Sequence, residues 1–312
     1  MAKITWKQCA DLPTVMSSGQ STVIGGKVYF GGGDVDNNDF SEKLEYLVYC
    51  YNISQDKWLS LPPLPNRWFA LCQINDRLTA VGGRGKGNWE YMNEVYSFDE
   101  SSWKWEKILP PMQTAKSTMA TLSFRSAIAT IGGATKNGNT NVVEIFRSET
   151  SQWYKTSPIP NACSAISAVC IGDNCYVLGG YNDSLRLNQA LYASVDDLLS
   201  NAVPADATIN YGNADHTVTW KKLPNTPTYQ PVAATLNESL FTIGGLDAVN
   251  GIVAQKAVYT YDPVNNLWIH LDDLPGPLVG TNTAMLSPTE ILLIGGWNGD
   301  RVKTVYKGTY SH

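Results

Sequence analysis

Short apolar runs that stop on adjacent glycines recur along this chain. "VYFGGG" ends at Gly33, "LTAVGG" at Gly83, "AIATIGG" at Gly133, "CYVLGG" at Gly180, "SLFTIGG" at Gly245 and "ILLIGG" at Gly296. Four apolar residues in a row, as from Ile291 to Ile294, suit a strand covered on both faces. The first glycines of the pairs are Gly32, Gly82, Gly132, Gly179, Gly244 and Gly295. Glycine there marks strand ends where φ turns positive or another backbone comes close. The second glycines stand 50, 50, 47, 65 and 51 residues apart. Apolar positions at helical spacing are almost absent, so the pattern predicts six copies of one β unit, with an insertion between the fourth and fifth.

A second marker keeps the same step. Trp6, Trp58, Trp105, Trp153, Trp220 and Trp268 lie at intervals of 52, 47, 48, 67 and 48. A third is the short strand "VYCYN" from Val48, repeated as "VYSFD" from Val95, "VYTYD" from Val258 and "VYKGT" from Val305. Tyr49, Tyr96 and Tyr259 each stand nine residues before a tryptophan, and Glu144 takes that place before Trp153. Each unit thus reads as four short strands. Units too small to bury their own apolar face need their neighbours, and six four-stranded units around a channel make an all-β, six-bladed β-propeller.

The blades are expected at 10–61, 62–108, 109–156, 157–222 with an insertion over 194–219, 223–270 and 271–310, forming one domain over 1–312. The strand around Trp6 has the character of a fourth strand, while the sixth unit stops after its third. Residues 4–8 are therefore expected to complete the last blade and close the ring. The spaced tryptophans are expected to pack between blades, each burying roughly 150–250 Å². Asp99 and Asp262, closing their strands, are expected turn-formers.

The double glycine, the "VYxYD" strand and the spaced tryptophan together resemble the kelch repeat, over essentially the whole chain. The period near 50, without the Gly-His and Trp-Asp signatures of a WD40 array, sorts it the same way. The chain departs from the kelch pattern where an arginine often opens the inner strand, for here stand Met16, Asn66 and Lys116. Resemblance to BTB-kelch ubiquitin-ligase adaptors implies peptide docking at one mouth of the channel through arginine, serine and tyrosine side chains.

Counting sixteen or fifteen residues back from each second glycine gives Ser17 and Ser18, Arg67 and Trp68, Ser117 and Thr118, Ser164 and Ala165, Tyr229 and Gln230, and Gly280 and Thr281. After the glycines come Asp34, Arg84, Ala134, Tyr181, Leu246 and Trp297. Ser17, Asp34, Arg67, Trp68, Arg84, Lys86, Tyr181, Tyr229 and Trp297 form the candidate binding set, which Trp89 extends. Aromatic rings with arginine are the side chains enriched at binding hot spots. Arg67 and Arg84 are expected to pair with carboxylates of an acidic peptide or protein loop, making the chain a non-catalytic interaction module.

Two alternatives follow from resemblance alone. Sialic acid mutarotases also resemble kelch propellers of this size; that chemistry needs an acid and a base converging on a sugar, with Asp34, Asp36, Asp183 and Asp300 in suitable loops. An actin-bundling scaffold would need a second binding site.

Composition narrows the classes further. Lysine and arginine number 23 against 28 aspartates and glutamates, a net charge of −5, and no basic run is present. Nucleic acid is therefore not an expected partner. "MAKITWKQCADLP" offers no apolar signal core, and no stretch approaches eighteen apolar residues, so neither a signal peptide nor a membrane span is expected and the cytoplasm is. That outweighs the glycosylation-type tripeptides at Asn52, Asn182 and Asn237. Cys9, Cys50, Cys72, Cys163, Cys170 and Cys175 show no CxxC and are expected as reduced thiols. Cys170 and Cys175, flanking the turn "IGDN", are the one pair placed for a cross-strand disulfide.

His216, His270 and His312 are widely separated, so no metal is expected. "GRGKG" from Gly83 lacks the ending and the helix of a phosphate loop, and no cofactor is expected. Within the insertion, "SVDDLLSNA" is expected to form one or two helical turns with Ser194 or Asp196 as N-cap. A loop of that length is a second candidate for partner contact.

Overall fold

The computed structural model describes residues 2–35, 46–85, 90–207, 217–247 and 253–311. Six antiparallel sheets of four strands or more surround a channel. The first blade runs Gln20–Ile24, Lys27–Gly31, Val48–Asn52 and Lys57–Ser60 from axis to rim. The innermost strand of each blade touches those of both neighbours, so the ring is closed.

The last blade is closed from the other end of the chain. Lys3–Gln8 pairs along Arg301–Ser311, with Ile4 opposite Tyr310 and Trp6 opposite Gly308. Gly308 is where four of the other blades carry an aromatic ring, and any Cβ there would collide with the Trp6 indole. In those blades the ring stacks on the tryptophan directly across the strand pair: Tyr51 on Trp58, Phe98 on Trp105, Phe146 on Trp153 and Tyr261 on Trp268, with centroids 4.8 to 5.4 Å apart.

Five of the six rim tryptophans also donate a hydrogen bond. The indole N–H of Trp58 donates to Ala10 O, Trp105 to Pro62 O, Trp153 to Pro110 O, Trp220 to Ser157 O and Trp268 to Pro224 O, at 2.8 to 3.4 Å. Each acceptor lies on the segment that leads into the same blade, so the ring ties its own lead-in chain to the outer strand. The apolar clusters lie between blades: Tyr29 and Val48 of the first pack with Leu71, Ala80 and Tyr96 of the second. Burial is thus shared by neighbours, which makes the wheel one cooperative unit.

The glycine pairs are explained by the joint between blades. In four blades the N–H of the second glycine donates to a carbonyl of the next blade's lead-in: Gly83 to Lys116 O, Gly133 to Cys163 O, Gly245 to Leu278 O and Gly296 to Met16 O, at 2.8 or 2.9 Å. The first glycine lies against that same carbonyl, where a Cβ on Gly82, Gly132, Gly244 or Gly295 would come within 3.0 Å of it. Near the axis, hydroxyls do similar work. Ser21 Oγ donates to Thr283 O, Thr121 Oγ1 to Leu71 O and Thr283 Oγ1 to Ala233 O, each reaching the equivalent residue of the preceding blade.

Where each inner strand begins, or just ahead of it, one residue has positive φ: Ser18, Trp68, Thr118, Ala165, Gln230 and Gly280. Only the last is glycine. The left-handed region costs an L-residue about 1–2 kcal/mol. Ala165 is exposed at the mouth with φ +50°, so Ala165→Gly removes only a methyl. It is expected to leave stability unchanged or raise it by up to about 1 kcal/mol, read in denaturant melts.

Blade six departs from the fifteen–sixteen residue count. Val279, not Gly280, pairs with Trp297, and a bulge between Met285 and Ser287 holds the additional residue. One unpaired residue in the inner strand lengthens that blade's spacing without moving its turn.

The insertion begins as the helix α1, Val195–Ser200, capped by Ser194, whose hydroxyl accepts from Asp197 N at 3.0 Å. It then returns to the third blade, where Val203–Pro204 adds a fifth strand beside Gln152–Thr156. Arg147 donates to Leu199 O, and Arg125 pairs with Asp196 at 2.8 Å. These parts brace blades three and four; residues 208–216, including His216, lie outside the described residues, as does His312.

Candidate functional site: the channel mouth

At one end of the channel the lead-in residues meet those that follow the glycines. Within each blade they pair: Ser17 with Asp34, Arg67 with Arg84, Ser117 with Ala134, Ser164 with Tyr181, Tyr229 with Leu246, and Val279 with Trp297. They surround a cavity of about 610 Å³, within the usual range for ligand sites. Ser17, Asp34, Trp68, Arg84 and Trp297 line it, together with Ser18, Ser117, Thr118, Gln230 and Leu246.

Trp68 is fixed from three sides. Its indole N–H donates to Asp34 Oδ1 at 2.9 Å, and the Arg67 guanidinium lies 4.0 Å from its ring centre. The Arg84 guanidinium lies 5.6 Å from the same ring and 4.6 Å from that of Tyr91. Cations over aromatic faces are held by the ring quadrupole, so Arg84 is kept at the mouth with its charge partly open to solvent.

Arg67 differs from the expectation. It is 7% exposed and does not line the cavity. In blade two the position sixteen before the glycine is buried while its successor, held at φ +53°, faces the mouth, so Arg67 buttresses the ring of Trp68. Tyr181 is exposed but stands on the rim, its hydroxyl donating to Asp183 O at 3.1 Å. Tyr229 is half-buried beside the cavity without lining it. Lys86, Trp89 and Asp36 lie outside the described residues.

Among the lining residues that escaped the sequence argument, two carry an aromatic ring or a charge. Tyr91 and Arg186 sit on the return legs of the loops after the glycines, where Tyr91 pairs with Arg84 and Arg186 with Tyr181. Counting outward from the glycine pair stops before the chain turns back. Loop length sets where the return leg lands, and it differs between these blades.

Of the carboxylates considered for sugar chemistry and described here, only Asp34 lines the cavity. Asp183 accepts from Asn139 N at 3.0 Å, and the Asp300 carbonyl accepts from Asn298 N at 3.0 Å. Among the described residues no three His, Cys, Asp or Glu side chains are grouped for a metal ion, and no helix is long and apolar enough to cross a membrane.

Fold and site define a six-bladed β-propeller with a basic, aromatic channel mouth. The KLHDC2/KLHL20/DRC7 Kelch-repeats domain model matches residues 18–222, and the chain belongs to the kelch-repeat family. Kelch-like protein 40 of Xenopus tropicalis is 28% identical over 174 residues, which are 52% of this chain and 28% of that protein. Kelch-like protein 36 of Mus musculus is 23% identical over 289 residues, 90% of this chain and 44% of that protein. The chain thus spans less than half the length of these relatives. The solved structure of YjhT superposes with a TM-score of 0.76 at 17% identity, covering 97% of this chain and 99% of that one, and shares its fold.

Proposed function

We propose that this propeller is a non-catalytic recognition module that takes a peptide or surface loop of a protein partner into the channel mouth. An acidic residue of the partner meets Arg84 and Arg186, while apolar residues meet Trp68, Tyr91, Trp297 and Leu246. The observation that carries this reading is the placement of Arg84 between two aromatic rings at the edge of a cavity lined also by Arg186, by Asp34 held on the Trp68 indole, and by hydroxyls, amides and apolar surface. Such a surface offers charge-assisted hydrogen bonds to a carboxylate and flat apolar faces beside them. Arg67 contributes by holding Trp68.

The reading is tested by capture from a cell lysate. Wild type is compared with the variant Arg84→Ala, Arg186→Ala and Trp297→Ala, after thermal melts show matched folding. Truncating hot-spot side chains costs about 2–4 kcal/mol each, so a partner held by the wild type is expected to be lost from the variant. Equal capture of the same proteins by both would move the contact away from the mouth, to the braced insertion first.

A further inference from the structure

We propose that Cys170 and Cys175 are a reversible dithiol site, which a small-molecule disulfide such as oxidised glutathione converts into an intrachain bond across the inner hairpin of blade four. The two residues are directly opposite in the pairing of Ser164–Ile171 with Asn174–Tyr181. Directly opposed residues of antiparallel strands have Cα atoms about 4.5–5.5 Å apart, inside the roughly 4.4–6.8 Å that a disulfide spans. Their thiols already face one another, with Sγ atoms 2.7 Å apart and both free. No backbone movement is needed to join them.

The surroundings decide which sulfur meets the reagent. Cys175 is fully buried, packed with Ala193, Val195 and Leu198 under α1. Its hydrogen bond with Cys170, and then its burial, push its thiol well above the ordinary range. Cys170 is only half-buried, so the incoming disulfide reaches it first. Its thiolate attacks one sulfur of RSSR, forming a mixed disulfide and releasing one RS⁻, which takes up a proton. Cys175 then gives up its proton and attacks the Cys170 sulfur, releasing the second RS⁻. Two protein thiols are oxidised and one RSSR is reduced to two RSH.

The bond would stiffen the hairpin end that seats the insertion, where Val195 N donates to Asp173 O at 2.8 Å and Arg125 pairs with Asp173 and Asp196. It lies at the opposite end of these strands from Ser164 and Tyr181, the pair nearest the mouth.

The test equilibrates the full chain with mixtures of oxidised and reduced glutathione, quenches with acid, alkylates remaining thiols and maps the peptides by mass. The wild type is expected to yield a peptide with an internal Cys170–Cys175 bond, two hydrogens lighter, which reduced glutathione reverses. Cys175→Ser is expected to accumulate a stable glutathione adduct on Cys170, because nothing resolves it. Cys9, the other half-exposed cysteine, is the internal control and carries an adduct in both proteins. The proposal is overturned if wild-type Cys170 and Cys175 stay alkylatable at the highest oxidised ratio, or if Cys170 holds a stable glutathione adduct. The wild-type result decides alone should Cys175→Ser not fold.

Discussion

Deleting residues 1–8 is expected to lower the stability of the wheel by at least about 5 kcal/mol and its melting temperature by roughly 10 °C or more. The loss has three parts. Ile4 is 2% exposed and packs with Phe241, Leu293 and Tyr310 in the cluster between blades five and six; truncating a buried isoleucine to alanine costs about 2–5 kcal/mol by itself. Six residues of backbone pairing with Arg301–Ser311 disappear, along with the hydrogen bond from Ile4 N to Asp272 Oδ2 at 3.1 Å. The strand left at the edge is long and half-buried, a template for pairing with another chain. The truncated protein is therefore expected to associate as its concentration rises, and a synthetic peptide of residues 1–10 supplied in trans should restore the melt. An unchanged melting curve would show that the ring does not depend on its N-terminal strand.

Lys116→Met is expected to cost about 3–5 kcal/mol, although it replaces a charge by an apolar side chain in the interior. Lys116 and Glu144 are 0% and 1% exposed, with Nζ 3.0 Å from Oε2. Glu144 Oε1 also accepts from Gln113 N at 3.0 Å and Thr114 N at 2.9 Å. Burial pushes Lys116 down from the usual lysine range, and the Glu144 carboxylate opposes that shift. Removing the lysine leaves a buried carboxylate without its cation. Blade one shows the apolar solution, since Met16 and Tyr49 hold the corresponding positions and share one core cluster. The double change Lys116→Met with Glu144→Leu, which keeps the side-chain volumes close, is therefore expected to return within about 1.5 kcal/mol of wild type, as volume-matched core exchanges do. Gln113 is exposed and Thr114 half-buried, so water can serve their freed N–H groups. Denaturant melts of the two single variants and the double give the coupling; additive losses would contradict the pairing.

The wheel was legible because its constraints repeat. Glycine pairs, rim tryptophans and the truncated sixth unit each report a contact that recurs from blade to blade, so their spacing alone predicts six blades and the closing strand. Contacts that occur once were not legible. Glu144 was seen to occupy a tyrosine's place and Lys116 an arginine's, but nothing in the spacing says that they touch. The bulge near Leu286 was hidden because one additional residue leaves the glycines in step. At the mouth, counting located Trp68, Arg84 and Trp297, yet it could not tell which way Arg67 points, since the left-handed turn at Trp68 sets that direction and spacing does not report it. Tyr91 and Arg186 depend on how far each loop runs before it turns back, and spacing from the glycines does not carry that information.

Hydrogen–deuterium exchange of the protein, alone and with the captured partner, tests the central claim most directly. Recognition at the mouth predicts slowed exchange in the lead-in and post-glycine segments that line it, around 17–20, 68, 84–85, 91, 117–118, 165–167, 230–232, 246, 279–282 and 297. The outer strands, including Lys57–Ser60 and Leu267–His270, should exchange as before. Protection confined to those outer strands or to the insertion, with the mouth unchanged, would contradict the account.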